Sequence, residues 1–238
     1  MSKSTCSTMP KISVVIPAYN EENYLPQTLH SIKKQNFKDY EVIVVANGCS
    51  DRTEELVRKE ADSRLKLLTM STANVSRARN HGADKSAGEL LLFLDADTTL
   101  AEDALQVINN KFGEKYSVAT TCVRPDDPKI KFRLALGVKN VLRRLQIYVG
   151  TGGSLICRKE DFNKVGGYDH QRMIMEHKHL IKKLRSFGKY TSLNTYTTTS
   201  MRRLKNWGLT KVIYFWLKEA AREKMGKLNG KDYNQTRE

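Results

Sequence analysis

The stretch that most restricts what this chain can fold into is Gly88 to Leu100, GELLLFLDADTTL. Its five consecutive apolar residues, Leu90 to Leu94, suit a short strand buried on both faces, as in a parallel sheet. The run stops at Asp95, Ala96 and Asp97. In extended chain, residues two apart point the same way, so the two carboxylates are expected to converge beyond the carboxyl end of the strand. That is where open α/β sheets hold ligands. Such a pair suits a hard divalent cation, an acid/base couple, or a cap in which Asp97 or Thr98 starts a helix near Ala101.

The chain ahead of this strand alternates in a regular way. Lys11 to Pro17 and Tyr40 to Ala46 read as strands, each followed by a polar turn and a helix, Glu22 to Gln35 and Arg52 to Glu60. Ser50 or Asp51 is a natural cap for the second helix. Leu65 to Met70 is a third strand and Ser76 to Lys85 a third helix. Four strands joined by helices predict a right-handed, mostly parallel, Rossmann-like sheet with flanking helices in a single domain. No G-x-G-x-x-G follows the first strand, which disfavours a dinucleotide fold.

Charge narrows the partners. Forty-one Lys and Arg against 26 Asp and Glu give a net charge of +15, which calls for an anionic partner: a phosphate-rich substrate, an anionic membrane surface or nucleic acid. No zinc finger, RNA-binding sheet signature or helix-turn-helix is present, so no nucleic acid is expected. Four widely spaced cysteines read as reduced thiols, and no apolar run is long enough to cross a bilayer. The expected location is the cytoplasm, peripheral to the inner face of the membrane.

Five segments, VVIPAYNEENYL (Val14 to Leu25), VVANGCSDRT (Val44 to Thr53), ANVSRARNHGADKSAGELLLFLDAD (Ala73 to Asp97), GTGGSLICRKEDFNKVGGYD (Gly150 to Asp169) and EHKHLIKKLRSFGKY (Glu176 to Tyr190), occur in this order. Together they resemble the family-two glycosyltransferases of the GT-A fold. The resemblance implies an inverting transferase that takes a sugar from a nucleotide-diphosphate sugar, with UDP ahead of GDP. It assigns Pro17, Ala18, Tyr19, Glu21, Asn47, Asp51, Arg79, Asp95 and Ala96 to the donor, and Asp95 and Asp97 to Mn²⁺ or Mg²⁺. Asn47 stands where the family has Asp, and an amide can read a base by accepting and donating. The family's catalytic Glu-Asp is here Glu176-His177. Three readings of the proton acceptor follow: Glu176, His177 with its ordinary pKa near neutrality, or none because the acceptor is itself a phosphate.

The second half is expected to choose the acceptor, a saccharide or a polyprenyl-phosphate-linked one. Lys129 to Tyr148 reads as a basic helix whose apolar face is Phe132, Leu136, Val141, Leu145 and Ile147, a lid or an acceptor groove. Gly150 to Cys157 resembles the strand that floors the acceptor site. Thr191 to Ser200 reads as an exposed strand or loop, followed by Arg202-Arg203, which are either solvated or a diphosphate clamp. The expected organisation is a tail over 1–10, a GT-A domain over 11–203 divided at 100/101, a basic amphipathic helix over 204–228 that suits an anionic membrane surface, and a disordered tail over 229–238. Two other classes stay in view. A nucleotidyltransferase would need a Gly-rich basic loop after the first strand, which PAYNEEN is not. A catalytically degenerate nucleotide-sugar-binding or basic scaffold protein is motivated by the missing Glu-Asp pair.

Overall fold

The computed structural model describes residues 9–172, 175–208, 210–212, 214–215, 218 and 222. Residues 1–8 of the tail expected over 1–10, the tail expected over 229–238, and most of the helix expected over 204–228 lie outside the described residues. Strands β1 (Ile12–Ala18), β2 (Tyr40–Asn47), β3 (Leu65–Met70) and β4 (Leu90–Leu94) alternate with helices α1 (Leu25–Lys33), α2 (Thr53–Lys59) and α3 (Val75–Asp84). Then follow β5 (Thr98–Leu100), α4 (Ala104–Lys111), β6 (Tyr116–Pro125), α5 (Ile130–Arg144), β7 (Ser154–Arg158), α6 (Lys159–Lys164), α7 (Glu176–Leu184), β8 (Lys189–Thr199) and α8 (Arg202–Trp207). One eight-stranded sheet results, in the order β3-β2-β1-β4-β7-β6-β8-β5.

The first four strands pair in parallel, as their crossover helices require. β7 runs antiparallel between β4 and β6, so the sheet becomes mixed at the step where β4 ends in its two aspartates. β4 is buried along its whole length. Leu90, Leu92 and Leu94 face the layer of α1 and α4, against Leu29, Ile32, Leu105 and Ile108. Leu91 and Phe93 face the other side, against Phe162, Tyr168, Leu180 and Ile181. A fully buried leucine of this kind stabilises the fold by roughly 1.5–3 kcal/mol.

Three sequence expectations are corrected here. Thr191 to Thr199 is neither an exposed strand nor a loop: it lies in β8, inside the sheet between β6 and β5, with Leu193, Thr195 and Thr197 buried. Its hydroxyls are tolerated because they are bonded internally. Thr197 donates to the carbonyl of Gly152 at 3.0 Å and Thr195 to Asp103 at 2.9 Å, while Thr121 lies 2.8 Å from the Ser154 hydroxyl. In α5 only Phe132 and Leu136 of the expected apolar face point inward; Val141, Leu145 and Ile147 are exposed. The reason is that Asn140 clasps Val123, donating to its carbonyl at 2.8 Å and accepting from its N–H at 2.9 Å, which fixes the rotation of the helix. Finally, the start expected at Leu204 falls inside a helix, α8, and the described residues of the segment beyond Gly208 are helical as well. α8 starts at Arg202 and stops at Gly208, whose φ of 76° suits glycine.

α3 approaches β1 and β2 closely because Gly82 has no side chain. A Cβ there would lie 2.4 Å from Val15 Cγ1 and 3.2 Å from Val45 Cγ2. Gly82→Ala is therefore expected to destabilise the protein by about 1–3 kcal/mol despite alanine's better helix propensity, as read by chemical denaturation.

Candidate active site

The carboxyl ends of β1 and β2 carry turns that are laced together. Ser50 N–H donates to Asn20 Oδ1 at 2.8 Å, Glu21 N–H to Thr53 Oγ1 at 2.8 Å and Glu22 N–H to Asp51 Oδ2 at 3.0 Å. Asp51 Oδ1 accepts from Thr53 N–H at 3.0 Å. Burial pushes the Asp51 carboxyl up, but the hydrogen bonds from Thr53 and Glu22 outweigh it and hold the group below the usual carboxylate range. Asn47 is buried and its Oδ1 accepts from Asn74 N–H at 2.7 Å, so its acceptor oxygen locks β2 to the loop ahead of α3.

Beyond β4 the chain does not continue extended. Thr98 N–H donates to the carbonyl of Asp95 at 3.1 Å, closing a turn over Asp95, Ala96 and Asp97. The two aspartates reach one cleft through this turn and not through strand alternation, and neither caps α4, whose N-cap is Asp103. Gly153, with φ 84°, packs against the turn so closely that a Cβ would lie 2.5 Å from Thr98 Oγ1.

Arg79 joins the two halves of the site. It is 3 % exposed. Its Nη2 donates to Asp95 Oδ1 at 2.9 Å and its Nη1 to Glu176 Oε1 at 2.8 Å, with the guanidinium 5.3 Å from the Tyr168 ring. α3 is set in place for this by Asn74, which caps it at Arg77 N–H and donates to the carbonyl of His170 at 3.0 Å. Arg79, expected at the donor, ties Asp95 to the acid that opens α7.

His177, next to Glu176, is buried against Tyr168. Its Nδ1 is 2.9 Å from the Tyr168 hydroxyl, while Nε2 has no hydrogen-bond partner among the described residues and lies 3.9 Å from Glu176 Oε1. Burial, reinforced by Arg79, pushes the imidazole down to about 4. It is neutral at physiological pH.

Arg202 reaches in from α8. Its Nη1 and Nη2 donate to the two carboxylate oxygens of Glu21 at 2.9 and 2.6 Å, and Nη2 is 3.1 Å from Asp97 Oδ2. The guanidinium also lies 4.7 Å from the Tyr24 ring. Burial pushes the Asp97 carboxyl up to about 6; Arg202 opposes this, and Asp95 and Glu21 add to it. The sequence reading named the Arg202-Arg203 pair but not its partner: nothing in local sequence links Arg202 to Glu21, 181 residues away.

A single cleft of about 1630 Å³ connects these groups. Pro17, Glu21, Arg79, Asp95, Ala96, Asp97, Glu176 and His177 line it; Ala18, Tyr19, Asn47 and Asp51 do not. The lining also carries six cations, Lys139, Arg172, Lys178, Lys182, Arg185 and Arg203, and the apolar side chains Leu136, Leu142, Leu204, Trp207 and Phe215. A smaller cavity of about 480 Å³, beside Pro26, His30 and Thr99, contains none of the groups expected to do chemistry. Among the described residues, no three His, Cys, Asp or Glu side chains form a ready-made metal cage.

The sequence and fold were compared with known proteins. Two relatives align over less than half of the chain: glycosyltransferase GlyA of Streptococcus pneumoniae serotype 4 and GalNAc(5)-diNAcBac-PP-undecaprenol beta-1,3-glucosyltransferase of Campylobacter jejuni. The first is 35 % identical over 44 % of this chain and 15 % of its own length. The second is 34 % identical over 46 % of this chain and 37 % of its own length. The fold is similar to that of a mannosyltransferase of Pyrobaculum calidifontis solved with GDP-Man and Mn²⁺, with a TM-score of 0.70 and 19 % identity over 89 % of this chain and 65 % of that one. It is also similar to S. aureus TarS in complex with UDP, with a TM-score of 0.63 and 21 % identity over 80 % of this chain and 61 % of that one. These likenesses confirm a single α/β domain of the GT-A type. The family model for glycosyl transferase family 2 matches residues 13–209, and the chain belongs to that family.

Proposed function

We propose that the chain transfers a sugar, with inversion, from a nucleotide-diphosphate sugar to a hydroxyl of an acceptor that also carries phosphate, at the cytoplasmic face of a membrane. The observation that carries this is the cleft itself, which Glu21, Asp95, Asp97 and Glu176 line together with eight Lys and Arg side chains. The order UDP before GDP rests on the family resemblance; TarS was solved with UDP and the Pyrobaculum enzyme with GDP-Man and Mn²⁺.

The residues fit a hard divalent cation that is completed by its substrate. Asp95 and Asp97 would hold Mn²⁺ or Mg²⁺ with the diphosphate supplying the remaining oxygens, which accords with the lack of a third protein ligand among the described residues. Bound there, the ion would neutralise charge on the departing diphosphate. The Asp97–Glu21 pair already holds one cation, the Arg202 guanidinium. Donor entry would exchange that contact for phosphate, leaving Arg202 beside the leaving group, a role that suits a planar bidentate cation.

Glu176 is the better candidate base. It opens α7 beside Arg79 and lines the cleft as a carboxylate, whereas the His177 ring is buried with its Nδ1 engaged by the Tyr168 hydroxyl. His177 is read as a positioning residue, wedged between Tyr168 and Glu176. A phosphate-bearing acceptor, polyprenyl-linked or a charged saccharide, accounts for the cations that line the cleft.

Three outcomes test this reading. Thermal stabilisation by UDP- or GDP-sugars with Mn²⁺, roughly 5–10 °C at a hundredfold excess over Kd, is expected to vanish with a chelator and in Asp97→Asn. Retention of the full shift in that variant would remove the metal assignment, and a shift without product would assign the chain as a sugar-nucleotide-binding scaffold. Glu176→Gln is expected to lower kcat by about 10²–10⁴ with donor stabilisation retained; an unchanged rate would make a phosphate oxygen the nucleophile. His177 gives a pH signature. Its ordinary pKa of 6.5 falls to about 4 on folding, so the unfolded chain takes up a proton between these values that the folded chain refuses. Stability is therefore lost as pH falls through that window, by up to roughly 3 kcal/mol. His177→Gln should flatten the acid limb of a Tm-against-pH curve.

A further inference from the structure

Ten large apolar side chains are exposed among the described residues, and seven of them fall in one segment: Ile130, Leu134, Val138, Val141, Leu145, Ile147 and Tyr148. The first five follow one another at spacings of four, four, three and four on α5, which makes a single stripe along the helix. The opposite face of α5 is already used. Phe132 and Leu136 pack against Val123 and Met201, Asn140 clasps the backbone of Val123, and Arg143 donates to the carbonyl of Thr121 at 3.0 Å. The stripe therefore cannot roll inward to be covered by its own domain.

Its flanks are cationic. Lys129, Lys131, Arg133 and Arg144 are exposed, and no Asp or Glu occurs between Asp127 and Glu160. A second copy of the chain fits this surface poorly, because a two-fold contact through α5 would set each set of cations against its twin with no acid to oppose it. An anionic lipid surface matches both properties, taking the apolar stripe into its acyl boundary while its headgroups meet the cations.

We propose that α5 is a membrane-docking helix that lies in the interface of an anionic bilayer on its Ile130–Leu134–Val138–Val141–Leu145 stripe. The helix is about 22 Å long at 1.5 Å per residue, enough for four turns to sit in the headgroup plane. This assigns lipid contact to the middle of the chain, in addition to or in place of the segment after Leu204. It also has a consequence for access: Val138 lines the cleft as well as the stripe, and Leu142 and Ile147 line the cleft beside it. Docking α5 would bring the mouth of the cleft to the lipid surface, where a lipid-borne acceptor is delivered.

The experiment is co-sedimentation of the full chain with vesicles of phosphatidylcholine alone and with phosphatidylglycerol added. The wild type should bind the anionic vesicles and lose much of that binding at high salt. The triple variant Lys131→Glu, Arg133→Glu, Arg144→Glu should bind them roughly a hundredfold more weakly or worse. The triple variant Leu134→Asn, Val141→Asn, Leu145→Asn should lose binding at low salt as well. None of these six side chains lines the cleft, so metal-dependent stabilisation by the donor should be unchanged in both variants and reports that they fold. Vesicle binding that is absent in the wild type, or equal in wild type and both variants, would overturn the proposal. So would a wild-type dimer in light scattering that the Asn variant converts to monomer, which would make the stripe a contact between copies. The docking reading stands on α5 alone, so its failure would leave the donor-site tests intact.

Discussion

The site depends on one buried guanidinium. Arg79 sits on α3, yet its two terminal nitrogens end on Asp95, just beyond β4, and Glu176, at the start of α7. A buried cation is costly unless its charge and hydrogen-bonding capacity are met, so two carboxylates from distant parts of the chain are drawn to the same point. Removing either acid would leave the buried guanidinium with one of these two carboxylates and a terminal nitrogen without its acceptor. The packing under it is equally specific: Tyr168 lies against the guanidinium on one side and bonds His177 with its hydroxyl. It is fixed by an aromatic cluster with Phe93 and Phe162.

A second ionic cluster, Arg202 with Glu21 and Asp97, lines the same cleft. Here the balance is less complete. Three acids approach one another, and burial keeps Asp97 well above its ordinary pKa even with Arg202 beside it. The charge of the Glu21 and Asp97 carboxylates is met in the structure by the Arg202 guanidinium.

The second half of the sheet combines apolar packing with a set of buried hydroxyls. Thr120, Thr121, Ser154 and Thr197 form a buried ladder across β6, β7 and β8. Such a ladder fixes register, because a slip of one residue would strand every hydroxyl without a partner. It also floors the cleft through the Gly152 carbonyl, which accepts from Thr197.

What could be read from the sequence follows from range. The four parallel strands, the buried β4 and the acids at its end are written in local periodicity and in abrupt changes of polarity, and they were legible without coordinates. Other features were not. A Thr- and Ser-rich strand looks exposed until its partners are known, as β8 shows, and a helix with apolar residues all round does not announce which face is covered, as α5 shows. The convergence of Asp95 and Asp97 was expected from strand alternation but is produced by a turn. The link from Arg79 to Glu176 spans 97 residues and that from Arg202 to Glu21 spans 181. Sequence alone thus determined the kinds of groups available at the strand ends. The tertiary structure decided which acid each arginine holds and which histidine is kept neutral, because burial and ion pairing are properties of neighbours in space.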